Sequence, residues 1–177
     1  MHTLSAHIQA KAATIRLLAL DVDGVLTDGQ LYFGNNGEEM KSFSTLDGQG
    51  IKLLQQQGIV VALITARSSA LVARRAEILG IAHVYQGSEN KLDILISLQA
   101  DIGVSMADTA YVGDDLPDLA CINRAGLGIA VANAHASVKT AAALTTTAFG
   151  GKGAVREVCD LLLVAQSRYD TALAPYQ

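Results

Sequence analysis

Tryptophan is absent from this 177-residue chain, aromatic residues make up 5% and charged residues only 17%. A surface so poor in rings is not built to stack bases. A net charge of −4 and a pI near 5.4 argue against nucleic acid or an anionic membrane as partner. The densest basic spot, Arg74-Arg75, is too short to make a patch. Cysteine is scarce too: Cys121 and Cys159 lie far apart and form no C-x-x-C, so they read as buried thiols in a reducing cytosol. There is no Cys/His zinc cluster. No apolar run reaches the ~20 residues that a membrane-spanning helix needs. Residues 1–20 hold no uninterrupted apolar stretch of the secretory kind and read instead as a short helix, from Leu4-Ser5 to Ala13, laid against the domain. The chain is expected to be cytoplasmic.

What is present is apolar content, 50% of the residues and ample for one core, and a chain length that fits one domain. Short apolar runs alternate with helical stretches. Strands are expected at Leu17–Leu20, Ile59–Ile64, His83–Tyr85, Ala110–Val112 and Gly128–Val131. Helices are expected at about Gln49–Gln57, Ser69–Leu79, Asn90–Ala100, Asp115–Asn123 and Ala154–Gln166. Such alternation implies βαβ units in a parallel, doubly wound α/β sheet covered on both faces. Between the first strand and helix, Gln30–Phe33 and Glu38–Phe43 read as a β-hairpin turning at the Asn36-Gly37 pair.

The most informative residues are Asp21 and Asp23, in Leu-Ala-Leu-Asp21-Val-Asp23-Gly24, where the first strand ends. Side chains two apart on a strand share a face, so both carboxylates can meet one reacting group. Two like charges so close repel unless a cation or proton lies between them. A divalent metal, a nucleophilic carboxylate and a proton-carrying carboxylate suit phosphoryl transfer through an aspartyl-phosphate. A D-x-D alone also fits a strand end with turn-capping aspartates. The later signals decide: Thr65 ends the second strand, Lys91 opens a helix, and Gly113-Asp114-Asp115-x-x-Asp118 follows the fourth strand. In open parallel sheets these carboxyl ends gather at the ligand crevice.

The series Asp21-x-Asp23, Thr65, Lys91, Gly113-Asp114-Asp115-x-x-Asp118 resembles the four motifs of the haloacid dehalogenase superfamily of phosphatases. Thr65-Ala-Arg67, Tyr85-Gln-Gly87, Asn90-Lys91 and the string Phe149–Glu157 are similar to the 3-deoxy-D-manno-octulosonate 8-phosphate phosphatases of lipopolysaccharide precursor synthesis. The resemblance runs over about Leu17–Gln166. It implies a Rossmann-like fold, Mg²⁺, a sugar-phosphate substrate and a homotetramer. Asp21 then serves as nucleophile and Asp23 as acid and base, while Thr65 and Lys91 stabilise the phosphoryl oxygens. The metal falls to Asp21, the main-chain carbonyl of Asp23, and Asp114, supported by Asp115 and Asp118. For the substrate's remaining groups the candidates are Thr45, Asp47, Gly48 and Lys52 at the helix entered from Ser44, with Arg67, Arg75 and Lys91; Lys152 and Arg156 lie by the glycine-rich turn.

The gaps between motifs leave room for the hairpin but not for a cap domain, so residues 1–177 are expected to form one capless domain. A neighbouring subunit, meeting the hairpin at Leu31, Tyr32 and Phe33, is the economical cover for the site. The tail Arg168–Gln177 reads either as disordered or as reaching a neighbour's site. Three other readings stay open at this point: a phosphatase for a nine-carbon sialic-type sugar 9-phosphate, a phospho-accepting receiver, and a non-catalytic regulatory domain.

Overall fold

The computed structural model describes residues 5–35 and 39–177. Among the described residues there are eight strands: β1 Leu17–Leu20, β2 Tyr32–Phe33, β3 Glu39–Met40, β4 Val60–Thr65, β5 His83–Gln86, β6 Thr109–Gly113, β7 Leu127–Ala130 and β8 Leu144–Thr145. The helices are α1 Ala6–Thr14, α2 Thr45–Gln56, α3 Ala70–Leu79, α4 Lys91–Ile102, α5 Leu119–Arg124, α6 Ala136–Ala141, α7 Ala154–Ala165 and α8 Tyr169–Leu173. Six strands form one parallel sheet in the order β5-β4-β1-β6-β7-β8. The chain winds outward from β1 through β4 to β5, then crosses back to β6 on the other side of β1. This reversal separates two helix groups: α2 packs with α3, α7 and α8, while α4, α5 and α6 pack together. Doubly wound sheets open their ligand crevice at such a reversal, beyond the strands' carboxyl ends.

Residues of the central strands are apolar on both faces because both are covered. Leu17, Leu18, Ala19 and Leu20 are buried, as is every residue of β6. The register sets Leu20 beside Leu63 of β4 and Val112 of β6. Asp21, Thr65 and Asp114 therefore leave the sheet at nearly one level.

Several boundaries differ from the sequence reading. Helix α2 begins at Thr45 rather than near Gln49, because Ser44 caps it, its hydroxyl accepting the Asp47 amide at 3.4 Å. The expected helix Asp115–Asn123 is a 3₁₀ turn, Leu116–Asp118, followed by α5; Pro117 and a capping box between Asp115 and Asp118 shape that turn. The elements α6, β8 and α8 were not foreseen; none exceeds six residues, too short to show a period. The hairpin strands shrink to two residues each, paired Tyr32 to Met40 and Phe33 to Glu39. Its Asn36-Gly37 turn, like Leu4 of the first helix, lies outside the described residues.

The tail forms α8 and a 3₁₀ turn, Ala174–Tyr176, and meets the rest of the chain. Ala172 of α8 is buried, Arg168 donates to the Gln57 carbonyl at 2.6 Å, and Gln49 donates to the Tyr176 hydroxyl at 2.7 Å. Cys121 and Cys159 are buried and unbridged. His83 begins the edge strand β5, and His135 caps α6 through Nδ1, which accepts the Ser137 amide at 3.2 Å. No helix among the described residues is long and apolar enough to cross a membrane.

Candidate active site

Asp21 is the first residue past β1, with its amide donated to the Val112 carbonyl at 3.0 Å. The chain then coils tightly: the amides of Val25, Leu26 and Thr27 all converge on the Val22 carbonyl. Gly24 makes this possible. Its φ is +97°, and a Cβ there would lie 2.0 Å from an Asp114 carboxylate oxygen. The backbone of the first motif thus runs directly against the acid of the fourth.

A second close approach braces the same loop from outside. A Cβ on Gly150 would lie 1.7 Å from the Gly24 carbonyl oxygen. Gly150 donates to Asn133 Oδ1 at 2.8 Å and Gly151 to the Val25 carbonyl at 2.9 Å. The glycine-rich turn is therefore a buttress for the loop that carries Asp21 and Asp23.

Lys91 opens α4 and is 4% exposed, with Nζ 2.7 Å from Asp21 Oδ1 and 2.8 Å from Asp118 Oδ1. Asp118 is buried and saturated. Its Oδ1 also accepts the Tyr111 hydroxyl at 2.8 Å, and its Oδ2 accepts the amides of Asp114 and Asp115 at 3.0 and 3.3 Å. Thr65, the last residue of β4, is buried, and its hydroxyl accepts the Arg67 amide at 3.4 Å. Asp115 is exposed and serves the capping box.

Among the described residues, Asp21, Asp114 and Asp118 can each offer an oxygen within 4.8 Å of the others. Three carboxylates face one ammonium, that of Lys91, and the cluster is short of two positive charges. The strain shows in the acids: burial first, then the charge of Asp118, pushes Asp21 up to about 8. Burial, then Asp118 and Asp115, pushes Asp114 up to about 6. Lys91 moves upward as well; burial pulls it down, but Asp21 and Asp118 outweigh that. Hard oxygen donors lacking two positive charges are what a divalent cation such as Mg²⁺ fits.

The carboxylate of Asp23 stands apart from this set and turns to cations. Lys41 binds its Oδ1, and Arg67 Nε lies 3.7 Å from its Oδ2. Sequence reasoning missed Lys41, which no motif marks, and Tyr111, which reads as one more core residue of a buried strand.

The proposed substrate set divides. Thr45, Lys52 and Arg67 are exposed and remain candidates. Asp47 is corrected to a structural role: it is 1% exposed, and its carboxylate accepts the Arg156 amide at 2.8 Å and the Gly153 amide at 3.3 Å, capping α7. Gly48 is likewise a packing position, since a Cβ there would lie 2.4 Å from Arg75 Nη2. Arg75 itself donates to the Ser44 carbonyl at 3.0 Å and stacks 5.7 Å over the Phe43 ring, holding the entry to α2. Arg156 pairs with Asp160 at 2.8 Å.

A model of the haloacid dehalogenase-like hydrolases matches residues 79–156. The chain is 50% identical over 169 residues to the 3-deoxy-D-manno-octulosonate 8-phosphate phosphatase of Salmonella typhi, covering 96% of this chain and 90% of that one. To the phosphatase of the same description from Yersinia pestis it is 48% identical over 162 residues, covering 92% and 87%. Among solved structures, the phosphatase of Moraxella catarrhalis, in complex with magnesium ion, phosphate ion and KDO, superposes with a TM-score of 0.96. It shares 46% identity, with 98% of this chain and 100% of that one covered. The cobalt-bound enzyme of Haemophilus influenzae gives a TM-score of 0.88 at 42% identity, covering 91% and 94%.

Proposed function

We propose how this chain, which belongs to the 3-deoxy-D-manno-octulosonate 8-phosphate phosphatases of the haloacid dehalogenase-like hydrolases, uses its acids on substrate. The protein is a Mg²⁺-dependent phosphoric monoester hydrolase, releasing phosphate and the free sugar acid from 3-deoxy-D-manno-octulosonate 8-phosphate. Its product serves lipopolysaccharide precursor synthesis. The observation that carries the mechanism is the meeting of Asp21, Asp114 and Asp118 around Lys91, at the crevice where the sheet reverses.

In this reading Asp21 attacks phosphorus in line with the ester oxygen. Asp23 gives its proton to the departing sugar oxygen, then takes one from the water that opens the acyl phosphate. A positioned acid is worth roughly 10²–10⁴ in rate for so poor a leaving group. Lys91 and the Thr65 hydroxyl face the phosphoryl oxygens and offset their charge. Asp21, Asp114 and the main-chain carbonyl of Asp23 would hold the metal, with Asp118 fixing Lys91 and the Asp114–Asp115 turn. Bound there, Mg²⁺ would supply positive charge to offset that of the phosphoryl group and the attacking carboxylate. Arg67 is the first candidate for the substrate's carboxylate, with Thr45 and Lys52 beyond it.

The whole chain, residues 1–177, reads as one capless domain working in the cytoplasm as a homotetramer. Support for assembly comes from the hairpin, where Tyr32 is 47%, Phe33 67% and Met40 66% exposed. Such side chains suit an interface better than water.

Assaying phosphate release from a panel of sugar phosphates with Mg²⁺ tests the reading. The eight-carbon 8-phosphate should give the highest kcat/KM, ahead of nine-carbon 9-phosphates. A preference for the nine-carbon substrates, or full activity in EDTA, would overturn it.

A further inference from the structure

We infer that Lys41 is a positioning residue for Asp23, holding one carboxylate oxygen so that the other is the one that carries the proton. This rests on the reading of Asp23 as the acid. Lys41 follows β3 on the returning arm of the hairpin, whose neighbouring side chains Phe33 and Met40 face solvent. Its own side chain has no exposure at all. Lysine is rarely buried so completely unless its charge is paired, because an ammonium stripped of water needs a counter-charge. One such partner is Asp23 Oδ1.

The opposite oxygen, Oδ2, has Arg67 Nε at 3.7 Å, beyond hydrogen-bond reach, on a side chain 45% exposed. The two oxygens of Asp23 are thus unequal. Oδ1 is fixed by a buried cation, and Oδ2 has the half-exposed Arg67 beside it. When the bond from phosphorus to the ester oxygen breaks and the bond to Asp21 forms, the proton passes from Asp23 Oδ2 to that oxygen, and the sugar departs as a neutral alcohol. The pairing also ties the acid's orientation to the placement of the hairpin.

The test compares single-turnover phosphoenzyme formation from an alkyl phosphate and an aryl phosphate in wild type, K41M, D23N and the double variant. An aryl oxide departs without a proton, so loss of the acid's aim should fall on the alkyl substrate. K41M should lose about 10- to 100-fold on the alkyl phosphate and far less on the aryl, within the range a general acid supplies. In the D23N background K41M should add little, because residues that act through one another are not additive. If D23N loses alkyl turnover selectively but K41M affects both substrates equally, or multiplies with D23N, the inference fails while the acid assignment stands. If D23N itself shows no selectivity, both fall. Should K41M not fold, K41Q removes the charge and ends one bond short of the position of Lys41 Nζ. An alkyl-to-aryl ratio unchanged in K41Q would overturn the inference. None of these arms requires the eight-carbon sugar, so an error in the physiological substrate would leave the outcome readable.

Discussion

Tyr111 donates its hydroxyl to Oδ1 of Asp118 at 2.8 Å, the same oxygen that receives Lys91. The tyrosine is wholly buried in β6 and reaches the reaction only through this carboxylate. Tyr111→Phe leaves Asp118 one donor short while preserving shape. A hydrogen bond to a charged group is worth about 1.5–3 kcal/mol. The variant should melt lower, and kcat should fall several-fold with KM little changed, as Lys91 loses its fixed aim. Wild-type kcat with a lowered melting temperature would make Tyr111 purely structural.

Asp21→Asn should abolish turnover and leave the fold intact, because the amide cannot form the acyl phosphate. Circular dichroism and phosphate release check the two halves. Undiminished activity would remove Asp21 as the nucleophile.

The raised carboxyls give the metal-free protein a pH dependence of definite sign. Asp21 titrates at about 8 and Asp114 at about 6, against an ordinary value of 3.8. Between those values the folded protein keeps protons that the unfolded chain has released, so its stability falls as pH rises from about 4 to 8. Mg²⁺ competes with those protons for the same oxygens. Thermal melts in EDTA should therefore drop toward alkaline pH, and the upward shift on adding Mg²⁺ should be larger near pH 8 than near pH 5.5. A Mg²⁺ shift that does not change with pH would contradict this coupling.

Asp47→Ala removes the acceptor for the Gly153 and Arg156 amides at the start of α7. Loss of a helix cap costs about 0.5–2 kcal/mol. Denaturant unfolding should show that loss, and KM for the sugar phosphate should stay within about twofold of wild type, since these amides and not substrate are what Asp47 touches. A large rise in KM at unchanged stability would restore Asp47 to the substrate site.

Charging the hairpin, Tyr32→Glu with Phe33→Glu, should yield a smaller species by light scattering with a raised KM. Buried, unpaired charge is costly at any contact. A monomer with wild-type kinetics would show that each subunit closes its own site.

Every strand of the parallel sheet but β8 was legible because buried strands write themselves as apolar runs, and the acids because they punctuate those runs. Asp21, Thr65, Lys91 and Asp118 could be ordered before any coordinates, since topology alone brings strand ends together. Lys41 and Tyr111 could not, because their meaning lies in partners far along the chain. Asp47 misled for a related reason: an acid beside glycines at a helix entry looks like a ligand contact until its own partners, here the α7 amides, are seen. Helix α8 hides in a polar tail and is fixed only by what it packs on.

The contact between Gly150 and Gly24 has a bearing on how much of the gene product is required. Every charged group of the proposed chemistry lies between Asp21 and Asp118, and a fragment ending before Phe149 would retain them all. Such a fragment would lack the wedge that keeps the Asp21–Thr27 coil pressed on Asp114, and the edge strand β8 would be left without the turn that follows it. Supplied separately, a peptide beginning at Ala148 and running through α7 would be the natural complement. Restoration of activity by that peptide would depend on Gly150, where even alanine would force the backbones apart.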